Sequence, residues 1–229
     1  MMKAVPMIFN TETVKALLDG RKTVTRRPTK KEVTYSENGG FCCDGYMFGI
    51  GFTYKETMKN FVNSKHAPCK VGDLIWVRET FCHQPCANAP ELTVYKSGYP
   101  QLELSRYESI MSESEIKWTR SIHMPRWASR LTLRVTDVRI ERVQDITQEQ
   151  AKKEGIRYHW LYNEWGGLEA HPYSRPNASI WRWYKQAVTA FERLWNSIYS
   201  NWDENPYVWV IEFEVIRKNI DQVIEEVSA

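Results

Sequence analysis

Val71-Gly72-Asp73-Leu74-Ile75-Trp76-Val77-Arg78-Glu79 is the stretch on which the fold class turns. Its Gly-Asp turn opens into a run of β-branched and aromatic residues, the side chains that fit a pleated, half-buried surface, so it predicts a strand. Downstream, Leu131, Leu133 and Val135 alternate with Thr132, Arg134 and Thr136. The alternation slips near Asp137 before Val138 and Ile140 resume it, which predicts a long strand with a bulge or sharp bend. A last strand is expected over Tyr207 to Val215, with Trp209, Ile211, Phe213 and Val215 on one face and Glu212 and Glu214 on the other. Upstream, Thr23-Val24-Thr25 favours an extended strand closed by Pro28.

Short helices flank these strands. Asn10 can cap a helix carrying Val14, Leu17 and Leu18, with Phe9 stapled onto Val14 and Gly20 ending it in the left-handed conformation. Thr147 and Gln150 make a capping box for a helix that stops at Gly155. Val188, Phe191, Leu194, Trp195, Ile198 and Tyr199, at spacings of three and four, mark an amphipathic helix from about Gln186 to Ser200. Three stretches without a period, about 30–66, 83–117 and 157–185, read as irregular insertions of loops or short hairpins. The acidic tail after Arg217 reads as loosely packed or frayed. The fold class is therefore α+β and mainly β, a mixed barrel flanked by short helices, in one domain over residues 1–229.

Composition narrows the function classes. The 229 residues carry a formal charge of +3, and ten Trp with twelve Tyr exceed what a small barrel needs to fill itself, so some aromatics should line a pocket or partner surface. The pI of about 8.5 falls short of a protein that coats duplex DNA. Arg21, Lys22, Arg26, Arg27, Lys30 and Lys31 nevertheless place six positive charges in eleven residues, a local site for an anionic partner. No apolar run reaches a membrane span, and the start has no signal-peptide pattern, so a cytoplasmic protein without membrane partners is expected. Five cysteines, an odd number, suit reduced thiols or ligands better than disulfides.

The ordered set GRKTVTRR (20–27), VGDLIWVRE (71–79), a long strand, ITQEQAKKEGI (146–156), a longer helix and VWVIEFEV (208–215) resembles the ASCH superfamily, whose members have a PUA-like barrel. RETF (78–81) and SIHMPRWASRL (121–131) are similar to its larger phage and prophage branch, which implies a bacterial host cell. The likeness covers the first third and last half of the chain and leaves the three insertions unmatched. ASCH relatives are associated with RNA or modified nucleosides, and one small branch removes an acyl group from acylated cytidine with a Lys, a Thr and a Glu. Carried over, the resemblance implies Lys22, Thr25 and Glu154 as catalytic residues. This chain is more than twice the size expected for that branch, so its insertions could reshape the pocket.

Amide hydrolysis needs a nucleophile, a proton carrier and a positive group for the oxyanion. Thr25 could supply the hydroxyl. Lys22 could act as base if burial and the charges of Arg21, Arg26 and Arg27 lower its pKa, and Glu154 could orient it or exchange a proton. A binding module would use the same residues differently: Arg26 and Arg27 on phosphate, Trp76 or Trp127 on a base, with Arg78, Glu79, Arg126 and Arg130 alongside. Both readings stay open, as do ribonuclease action and a phage assembly or host-interaction protein that keeps the barrel as scaffold. RNA or a modified nucleoside is the expected partner, with DNA as an alternative, and no cofactor is called for. A zinc site is the minor alternative, built from Cys69, Cys82, His83 and Cys86 with Cys42, Cys43 and His66 near.

Overall fold

A computed structural model describes residues 2–49, 51–84, 92–99, 115–170 and 179–228. In chain order the elements are β1 (Ala4–Ile8), α1 (Thr11–Leu18), β2 (Val24–Pro28), β3 (Val33–Ser36), β4 (Gly40–Cys43), β5 (Tyr46–Met47) and α2 (Tyr54–Val62). Next come β6 (Leu74–Arg78), β7 (Phe81–His83), β8 (Thr93–Tyr95), β9 (Thr132–Arg142), α3 (Gln148–Lys153) and β10 (Arg157–His159). The chain continues with β11 (Glu164–Ala170), β12 (Ser179–Tyr184), α4 (Ala187–Ile198), β13 (Tyr207–Ile216) and α5 (Ile220–Ser228). The protein is thus mixed α+β with strands predominating, and among the described residues no helix is long and apolar enough to cross a membrane.

Two compact units form: residues 1–20, 72–134 and 214–229 make the first, and residues 21–71 and 135–213 the second. In the first, β6 is the centre. It pairs in parallel with β1, Leu74 opposite Ala4, and antiparallel with the first residues of β9, Ile75 opposite Leu133. Pro6 sits in β1, a strand the sequence reading does not anticipate, where the missing N–H is tolerated because β1 has a strand partner on one side only among the described residues. Leu74 and Trp76 pack against Ile220 and Val223 of α5, all four buried. The tail is therefore a docked helix, which corrects the expectation of a frayed end. Burying an Ile or Val stabilises by roughly 1.5–3 kcal/mol, enough for two such anchors to hold a short helix.

In the second unit β13 lies between β9 and β2, with Ile211 opposite Thr25 and Val210 opposite Arg26. Val24, Val143, Ile146, Ala151, Ile156, Ala187, Phe191, Trp195, Val208 and Val210 close round one core. The burial phase of β9 changes at Asp137, with Leu133 and Val135 inside before it and Val138 and Ile140 inside after it, in a strand that runs from Thr132 to Arg142. The helix signals hold: Asn10 accepts from the Thr13 N–H, the Thr147–Gln150 capping box is complete, and Gly20 and Gly155 have positive φ.

The stretch 30–66 holds a β3-β4-β5 meander with α2 beside it, and the helix is an addition to the expected hairpins. Thr53 and Glu56 cap α2 reciprocally. Gly40 is required there, since it has φ +68° and a Cβ would lie 2.2 Å from the Thr57 hydroxyl, which accepts from the Phe41 N–H. The stretch 157–185 contains the antiparallel sheet β10-β11-β12, in which Trp165 and Tyr184 pack on the core. Of the third stretch, 83–117, β8 pairs with β7, and the remainder lies largely outside the described residues.

Candidate functional site

The basic segment before β2 is stitched to the end of α3. Thr23 N–H donates to the Lys153 carbonyl at 3.0 Å, Lys22 forms a backbone bridge with Glu154, and Arg21 donates to the Gly155 carbonyl. Gly155 in the left-handed conformation ends α3, so the chain turns away and leaves Glu154 as the helix C-cap. Lys22 and Glu154, 132 residues apart in sequence, consequently meet side by side.

Lys22 Nζ donates to Glu154 Oε2 at 2.7 Å and to the Glu154 carbonyl at 2.9 Å. The other carboxylate oxygen, Oε1, accepts from Arg26 Nη1 at 3.1 Å. Arg26 Nη2 also reaches Glu141 Oε2 at 3.0 Å and Gln150 Oε1 at 3.2 Å, while its buried Nε has no hydrogen-bond partner among the described residues. The three charged groups are almost sealed: Lys22 is 2% exposed, Arg26 3% and Glu154 3%. Burial pushes the Lys22 ammonium below its ordinary range; Glu154 opposes that shift, and the charges of Arg27 and Arg26 add to it.

Thr25, three residues after Lys22 and equally buried, has no hydrogen bond to either Lys22 or Glu154. Arg27 donates to the Tyr199 hydroxyl at 3.3 Å. Arg26 faces inward, so the phosphate contact expected of it is replaced by a positioning one: it holds Glu154 from the side opposite Lys22. Glu141 and Gln150 are the members that sequence reading misses. Gln150 is visible only as a capping residue, and Glu141 only as one charge in an alternating strand.

The ion pairs continue beyond the site. Glu141 Oε1 accepts from Arg139 Nε at 2.5 Å, and Arg139 Nη1 reaches Asp137 at 2.7 Å and Glu212 at 2.8 Å. Those carboxylates raise the Arg139 pKa further above its usual value, although burial acts against them. Cation and anion alternate from Lys22 through Glu154, Arg26 and Glu141 to Arg139.

The remaining candidates belong to the first unit. Trp76 is buried against Leu74, Ile220 and Val223, as its place in mid-strand suggests, so of the two stacking candidates it is the one that belongs to the core. The Arg78 guanidinium lies 5.4 Å from the Trp76 ring centroid and donates to the Ile122 carbonyl. Glu79 is 1% exposed and accepts from Arg130 Nε at 2.9 Å and from the Ser97 hydroxyl. Arg130 also lies 4.0 Å from the Tyr95 ring centroid. Trp127 is 57% exposed and meets His83 edge to face, with ring centroids 4.9 Å apart, and Arg126 pairs with Asp221 on the surface.

Among the described residues no three His, Cys, Asp or Glu side chains gather as a metal site. Cys43 Sγ lies 3.6 Å from His66 Nδ1, and burial pushes the Cys43 and Cys82 thiols up. His83 is engaged with Thr93, Cys69 is buried, and Cys86 lies outside the described residues. Compared with family models, curated proteins and solved structures, the chain gives no match.

Proposed function

We propose that the protein is an ASCH-like, PUA-like protein that receives a modified nucleoside or a nucleobase of RNA, and that Lys22 and Glu154 carry acyl hydrolysis of an acylated cytidine. The observation that carries this reading is the buried 2.7 Å contact between an amine whose burial favours its neutral form and a carboxylate pinned by Arg26. Such a pair can pass a proton between amine and carboxylate, which amide cleavage requires twice, once at the nucleophile and once at the leaving amine.

In this mechanism a water attacks the acyl carbonyl while Lys22 takes its proton. The C–N bond breaks, and the proton returns to the leaving exocyclic amine through Glu154. Arg26 positions Glu154 and steadies its charge.

Incubating the purified chain with N4-acetylcytidine tests the reading. Release of cytidine and acetate is expected, lost on Lys22→Ala and on Glu154→Gln with the fold intact. Absence of turnover by the parent chain, or its persistence in both variants, would sink the enzyme reading. A Trp127-dependent affinity for single-stranded RNA without turnover would favour the binding-module reading, for which the exposed Trp127 ring is the specific support.

A further inference from the structure

A groove of about 720 Å³ lies in the second unit between α2 and the Asp137–Arg139 segment of β9, remote in sequence from the Lys22–Glu154 pair. We propose that it binds a small organic anion, with a flat apolar body on Met58, Val62 and Val138 and an acid group on Lys55 and Lys59. The inference does not rest on the reading of Lys22 and Glu154.

The groove exists because α2 is used on two faces. Thr57 and Phe61 point inward, Phe61 stacking on Phe41 and Trp209 at centroid distances of 5.6 and 5.1 Å. Met58 and Val62, one residue further round, are left half-buried and form the groove's apolar wall, and the buried Val138 stands among the lining residues contributed by β9. The volume falls within the roughly 300–1,000 Å³ of small-molecule sites. It is ample for a fused aromatic ring system.

Charge selects the ligand. Four cations line the groove, Lys55, Lys59, Lys70 and Arg139, against two acids, Glu56 and Asp137. Both acids are committed: Glu56 accepts from the Thr53 N–H and hydroxyl in the helix cap, and Asp137 pairs with Arg139. Arg139 in turn is neutralised by Glu141 and Glu212. Lys70 donates to the Asn63 carbonyl. Lys55 and Lys59 have no ion pair among the described residues, and their spacing of four puts both ammoniums on one side of α2. An apolar wall under two unpaired cations complements an aromatic or aliphatic acid better than a neutral molecule or a bare inorganic ion.

The probe is 8-anilinonaphthalene-1-sulfonate, titrated against the intact chain, with neutral N-phenyl-1-naphthylamine and inorganic phosphate as companion arms. One-to-one sulfonate binding is expected, with the neutral analogue at least about tenfold weaker and phosphate alone a poor competitor. Lys55→Glu combined with Lys59→Glu should weaken the sulfonate by about tenfold or more, and Met58→Asp should do so independently. Trp160→Ala with Tyr162→Ala, which remove exposed rings at the β10–β11 turn, should leave binding unchanged. Parental affinity in the charge-reversed variant, loss of binding in the Trp160 and Tyr162 variant, or equal affinity for the neutral analogue would each overturn the proposal. Circular dichroism checks that every variant is folded.

Discussion

Glu141 binds two arginines at once, taking Arg26 Nη2 on one carboxylate oxygen and Arg139 Nε on the other. Arg26 is sealed while Glu141 keeps 19% of its side chain exposed, so this residue is where the buried part of the cluster meets solvent. Glu141→Gln keeps the shape and removes the charge. It should cost about 1–2 kcal/mol, since Arg26 retains Glu154 and Gln150, and urea unfolding of parent and variant measures it. An unchanged midpoint would remove Glu141 from the cluster's stabilising members.

Removing Glu154 should be harsher. Glu154→Ala strands Lys22 as an unpaired interior cation and leaves Arg26 to Glu141 alone, and breaking a buried pair in this way costs roughly 3–5 kcal/mol. The double variant Lys22→Met with Glu154→Leu should recover much of that loss. Failure of the double variant to recover would point to packing, not charge, as the reason for the pair.

Lys22 also sets a pH dependence. Its folded pKa lies below the ordinary 10.5 of the unfolded chain, so between those two values the unfolded state binds more protons. The cost of charging Lys22 is therefore full below the folded pKa and is relieved as pH rises toward 10.5. Unfolding free energy of the parent, relative to Lys22→Met, should increase with pH across that window. Parallel curves would show that folding leaves the lysine's proton affinity unchanged.

The two tryptophans proposed for stacking should separate cleanly. Trp76→Ala opens the core against α5 and should cost about 3–5 kcal/mol, whereas Trp127→Ala should stay within roughly 0.5 kcal/mol. Thermal melts at equal concentration distinguish them, and similar shifts would contradict the burial difference.

Ile220→Ala should destabilise the first unit by about 2–4 kcal/mol and expose α5 to proteolysis. A tail that is cleaved equally fast in parent and variant would restore the frayed reading.

How much of this could be read beforehand depends on how local each cause is. The caps at Asn10 and Thr147, the stop at Gly155 and the β6 run are decided within a few residues, and they appear where the sequence puts them. The tail was obscured because Asp221, Glu225 and Glu226 dominate its composition, while Ile220, Val223 and Ile224 have meaning only once Leu74 and Trp76 supply a surface. In β10–β12 the period is hidden since aromatics occupy both sides of the sheet, Trp165 and Tyr184 against the core and Trp183 beside His159. Nothing local to Lys22 or Glu154 signals their pairing across 132 residues. The partners of Arg26 at positions 141 and 150 lie 115 and 124 residues away, and no short-range signal announces a contact of that span.

The alternating chain from Lys22 to Arg139 has a historical corollary. Each link shares its partners with the next, so a lineage that neutralises one member inherits an excess charge in its interior. Surviving homologues should have exchanged these residues two at a time, an acid together with a base, and single replacements should be confined to the solvent-facing end at Asp137 and Glu212.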